Sequence, residues 1–171
     1  MLPKLVNLRS DMDTLLRFLS KPKAFPALER VVQVDDSDLA PERSTLLKFF
    51  EQLAHTTVSH ISICFDEHPD IFQRFVRNLR RPTTVEHTLK FVTSMELRIR
   101  TTDHISGAMQ HILPRWLALF PALAFLSFSR SKYCVVREDE EAALAKNIVA
   151  MCQKIKNVAF RGTVADRHFV P

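Results

Sequence analysis

The fold class that this chain of 171 residues predicts is α/β: an irregular solenoid of about five units, with parallel strands on one face and helices on the other. Three observations predict it. The tetrapeptide FPAL occurs at residues 25–28 and again at 120–123, each time between an amphipathic stretch and a short β-like run. The β-like runs share one template: apolar, two free positions, apolar, one free position, apolar. The first apolar residues of successive runs, Leu28, Val58, Val92, Leu123 and Ile155, stand 30, 34, 31 and 32 residues apart, so the FPAL pair is separated by three periods.

The units run roughly 1–24, 25–57, 58–91, 92–119, 120–152 and 153–171, within a single repeat domain over 1–171. Leu5 and Leu8 form a degenerate first copy, followed by a helix over 11–20 with Leu15, Leu16, Phe18 and Leu19 apolar. The second unit opens with Leu28 and Val31 but carries Gln33 at the last template place. A one-residue bulge turning Val34 inward would repair it. A helix from Pro41 to about Thr56 follows, with Pro in its first turn and a stripe of Leu46, Leu47, Phe49, Phe50 and Leu53.

The third unit has Val58, Ile61 and Ile63, then a helix over 70–80 that Pro82 stops and a further helical turn over 84–91. The fourth has Val92, Met95 and Leu97, then an apolar stretch over 105–119 in which Pro114 predicts a break or kink. The fifth has Leu123, Leu126 and Phe128, then a helix over 138–153. That helix opens on Glu138, Asp139, Glu140 and Glu141, acids suited to a helix N-terminus, and turns Ala143, Leu144, Ile148, Val149 and Met151 inward. Ile155, Val158 and Phe160 complete the template in the last unit. A strand–loop–helix unit of thirty residues cannot bury its apolar face alone, and stacking neighbours buries it.

Composition narrows the function. Only two glycines, Gly107 and Gly162, are present, whereas loops that cradle phosphates need several. The net charge of +5 is mildly basic. Three scattered cysteines, Cys64, Cys134 and Cys152, without a CxxC pair, argue against a disulfide framework or structural zinc and fit reduced thiols in the cytoplasm or nucleus. The N-terminus does not read as a signal peptide, and the longest apolar run, residues 116–126, is about half of what a membrane helix needs. No cofactor, metal, membrane or small-molecule substrate is expected.

Taken with LFPALAFLSFS and CQKIKNVAFRG, the strand template resembles leucine-rich repeats, and in particular the leucine-rich-repeat regions of fungal F-box proteins. The resemblance covers nearly the whole chain. It implies a substrate-recruiting subunit of a cullin-based ubiquitin ligase, of which only the recognition half is expected here. An F-box is not apparent, because too little sequence precedes Leu28 for its three helices. It also implies a protein partner held on the open, concave strand face. The free strand positions would form that face: His60, Ser62 and Cys64; Ser94, Glu96 and Arg98; Phe125, Ser127 and Ser129; Asn157, Ala159 and Arg161. All but Ala159 are expected to contact the partner, in a protein–protein interaction module without catalysis of its own.

Other readings have weaker support. His55, His60, Cys64 and His68 are spaced for a helix, but the run from Val58 to Phe65 reads as a strand, where of these only His60 and Cys64 share a face. Cys64 as a nucleophile lacks an oxyanion hole, and no GxSxG elbow exists. Arg74, Arg77, Arg80 and Arg81 form a basic stripe on the 70–80 helix, the feature that a nucleic-acid-binding or structural repeat protein would use. No aromatic interleaves with them to stack bases.

Overall fold

The computed structural model describes residues 5–21, 23, 25–33, 43–66, 89–100, 107–130, 138–161 and 167–169. The chain is α/β. Strands β1 (Asn7–Ser10), β2 (Arg30–Gln33), β3 (His60–Asp66), β4 (Ser94–Arg100), β5 (Phe125–Arg130) and β6 (Asn157–Arg161) pair in parallel in chain order. A seventh, β7 (Arg167–Phe169), closes the sheet antiparallel to β6. The described helices are α1 (Met12–Leu19), α2 (Arg43–Leu53), α3 (Gly107–Leu117) and α4 (Glu138–Met151).

The template residues are the reason these strands stack. Leu8, Val31, Ile61, Met95, Leu126 and Val158 stand opposite one another in register across β1–β6 and are buried. Two residues on, Ile63, Leu97, Phe128 and Phe160 form a second buried row, in which the last two rings stack at 4.8 Å. Successive strand residues point to opposite faces, so both rows meet the buried side chains of the helices in one core. Leu28, Val58, Val92, Leu123 and Ile155 are buried just ahead of their strands.

The two FPAL segments make the same turn. Leu28 N donates to Phe25 O at 3.2 Å and Leu123 N to Phe120 O at 3.0 Å. Val92 to Leu89 and Ile155 to Cys152 repeat the bond at 3.3 and 2.9 Å. Pro at the second place of FPAL suits such a turn because its φ is already set and the position needs no N–H. Each turn leads to a second recurring contact, in which two consecutive N–H groups share one carbonyl of the preceding unit. Glu29 and Arg30 donate to Val6 O, Ser59 and His60 to Glu29 O, Thr93 and Ser94 to Ser59 O, and Ala124 and Phe125 to Thr93 O, at 2.9–3.1 Å. Lys156 N continues the series to Ala124 O at 2.8 Å.

The FPAL phenylalanines pack against the helix before them. Phe25 lies 5.1 Å from Phe18, near the end of α1. Phe120 lies 5.0 Å from Trp116 in α3, and Phe50 of α2 completes that cluster at 5.4 Å from Trp116 and 6.2 Å from Phe120, all three edge-on and buried. Asp11 caps α1, its carboxylate accepting from Thr14 N at 2.9 Å and Thr14 Oγ1 at 2.8 Å. These bonds hold its pKa below the ordinary 3.8.

Several expectations change. Arg30–Gln33 pairs in register with β1 and Arg30–Val32 with β3; the bulge expected to turn Val34 inward falls at Val34, outside the described residues. Pro114 does not break its helix: α3 runs through it. Met151 is 46% exposed rather than inward, because it is the last residue of α4, where the helix leaves the core. Leu89, Lys90 and Phe91 form a turn, not the end of a helix over 84–91. The helix expected over 70–80 and its arginines lie outside the described residues, and β7 was not anticipated.

Candidate interaction face of the sheet

Opposite the core, alternate residues of each strand form the second face of the sheet. Its first row crosses all six parallel strands: Asn7, Arg30, His60, Ser94, Phe125 and Asn157. Its second row is Arg9, Val32, Ser62, Glu96, Ser127 and Ala159, continued on β7 by His168. A third row holds Cys64, Arg98, Ser129 and Arg161. The register thus brings every position singled out from the template onto one face. For Cys64 and Arg161 the description stops at the backbone.

Exposure across the face is uneven. Phe125 is the prominent residue, a large ring 54% exposed between Ser94 and Asn157. His60, Ser94, Glu96, Arg98, Ser127, Ser129 and Asn157 are half-buried. Ser62 departs from expectation: at 1% exposure it cannot contact a partner. Its short side chain sits between Val32 and Glu96 on the adjoining strands, and longer neighbours overtop it. Ala159 is buried for the same reason of size.

His60 is the polar centre of the first row. Its Nδ1 lies 3.0 Å from Ser94 Oγ, across the β3–β4 pair. Burial, and then the positive charge of Arg30, hold the imidazole below its ordinary 6.5, while Glu96 opposes the shift. The ring is therefore neutral near pH 7. Nε2 of His60, Oγ of Ser129 and Oδ1 of Asn157 are shielded from solvent without a hydrogen-bond partner among the described residues.

Among the open-face positions that escaped the sequence reading, Asn7, Arg9 and Arg30 are exposed. The failure of the template at Gln33 drew attention away from β2, and β1 read only as a degenerate copy. The unbroken alternation in RVVQ, with Val31 inward, was the available signal for Arg30.

Away from this face, a cleft of about 250 Å³ opens between the ends of α3 and α4, lined by Leu117, Phe120, Pro121, Leu123, Met151 and Cys152 among others. Cys152 is a packing residue there. Its Sγ donates to Pro114 O at 3.5 Å, and burial pushes its thiol pKa up to about 11, far from a reactive thiolate. Among the described residues no three His, Cys, Asp or Glu side chains gather in a metal-binding group; His68 lies outside them. No described helix is long and apolar enough to cross a membrane. No family model, curated protein or solved structure matches the chain.

Proposed function

We propose that the chain is an irregular leucine-rich-repeat-like solenoid segment that recognises another protein on the open face of its sheet and performs no chemistry itself. The observation that carries this reading is Phe125, 54% exposed between Ser94 and Asn157 in a registered row that is otherwise polar. An exposed aromatic ringed by half-buried polar groups has the composition of an interface core. The solenoid part of the reading is supported by the strictly sequential parallel order and by the turn and shared-carbonyl contacts that recur from unit to unit. Substrate selection for ubiquitination, in an intracellular setting, belongs to the same proposal and rests on the resemblance to F-box repeat regions.

Affinity capture from lysate with three versions of the chain tests the proposal: the unaltered chain, Phe125→Ser, and Met151→Ser as a control at an exposed apolar residue away from the face. A protein held by the first and third but lost by the second supports docking at the sheet. Retention that ignores Phe125→Ser overturns it.

A further inference from the structure

We infer that the open face is built for an acidic, extended segment of its partner, laid across the strands along the row from Arg30 to Asn157. The inference rests on the docking reading above and adds the chemistry of the occupant. The open-face register positions of β1 and β2 are Asn7, Arg9, Arg30 and Val32, two cations and no acid. Arg9 and Arg30 are exposed, and no ion pair engages either among the described residues. Two exposed cations set diagonally on adjoining strands, with no ion pair among the described residues, form a surface that an acidic segment complements and a basic one does not.

The geometry sets the length and direction of that segment. Neighbouring strands lie about 4.8 Å apart, so the row from Arg30 on β2 to Asn157 on β6 spans about 19 Å, which an extended segment of about six residues matches. Its charged part meets Arg9 and Arg30 at the β1–β2 end. Its apolar part meets Phe125 four strands along. Between them His60 and Ser94 already bond to each other, and the small Ser62 lies below the surface, leaving a shallow floor beside the row. Glu96, half-buried in the second row, disfavours acids there and keeps the charged part of the segment toward β1.

Three fluorescein-labelled octapeptides of equal length test the inference by fluorescence anisotropy on the full chain. Each carries a central Leu-Leu pair, flanked by glutamates, serines or lysines. The glutamate peptide is expected to bind at least about tenfold tighter than the serine peptide, with an advantage that shrinks as salt is added. Arg30→Glu removes that advantage, while Phe125→Ser weakens the glutamate and serine peptides alike. Circular dichroism confirms that both variants remain folded. If the serine or lysine peptide binds as tightly as the glutamate peptide and still depends on Phe125, the acidic preference is overturned while docking at the face stands. Glutamate-peptide binding that is indifferent to both substitutions overturns the inference by moving the contact elsewhere. Absence of binding by all three overturns it as well, and the capture experiment then decides the docking reading separately.

Discussion

The side-chain amide of Asn147 in α4 donates to the main-chain oxygen of Gln110 in α3 at 3.5 Å. That oxygen is the one Pro114 leaves without its helical partner, since proline has no N–H to return to the residue four before it. The neighbouring helix thus supplies a donor at the place where the sequence removes one, and α3 continues through its proline.

This relationship makes a double-mutant cycle informative. Asn147→Ala alone is expected to lower the unfolding free energy by about 1 kcal/mol. In a Pro114→Ala background the main chain regains its own donor at position 114, and the cost of Asn147→Ala shrinks toward zero. Urea denaturation of the four proteins measures the coupling; strictly additive losses would show that the amide does not replace the missing bond.

The aromatic packing predicts an order of severity. Trp116 is buried between Phe50 and Phe120, and Trp116→Ala is expected to cost about 3–5 kcal/mol. Phe25, only half-buried and 5.1 Å from Phe18, makes the corresponding contact in the first FPAL turn, and Phe25→Ala is expected to cost about 1–2 kcal/mol. Thermal unfolding of the two variants gives the comparison, and the reverse order would remove Trp116 from the centre of the core.

His60 predicts a pH dependence of definite sign. Its folded pKa lies below the ordinary 6.5, so above that pH both folded and unfolded chains carry a neutral ring and nothing is gained or lost. As the pH falls below 6.5 the unfolded chain takes up the proton more readily, and folding stability declines until the folded-state pKa is passed. Chemical denaturation across this range should show His60→Gln losing less stability than the unaltered chain. Identical slopes would mean that the imidazole titrates as freely in the fold as outside it.

Asn157 gives a prediction in the opposite direction. Its Oδ1 is shielded without a hydrogen-bond partner among the described residues, next to the exposed Phe125. Asn157→Val removes the unsatisfied oxygen and places a β-branched side chain in a strand, so it is expected to raise stability by about 1 kcal/mol. A loss measured by urea denaturation would show that the amide has a stabilising role.

The parts of the fold legible in the sequence were those written in apolar spacing. Leu28-x-x-Val31, Val58-x-x-Ile61 and their successors place one buried residue before each strand and one in it, and the outward residues follow by alternation. What spacing does not encode was not legible. The donor that reaches Gln110 O beside Pro114 comes from Asn147, thirty-odd residues later in the chain. The strand Arg167–Phe169 has too few residues to carry a pattern and gains its hydrogen bonds only from the edge of β6. For the candidate face, alternation gave the positions but not their relief: Ser62 sinks and Phe125 stands out because of the size of their neighbours on other strands, and cross-strand neighbours are fixed only once the register exists.

The carbonyls shared by two N–H groups have a further consequence. Each of the strands β2–β6 starts from a carbonyl just ahead of the strand before it, at Val6, Glu29, Ser59, Thr93 or, for β6 through Lys156 N alone, Ala124, so its alignment is set locally, at the point of contact. The length of chain spent travelling between two such points, which varies from 30 to 34 residues between anchors, does not enter that alignment. Connectors can therefore lengthen or shorten during descent without dephasing the sheet. The architecture counts strands and leaves residues uncounted, which is how connections of unequal length still leave the parallel strands in step.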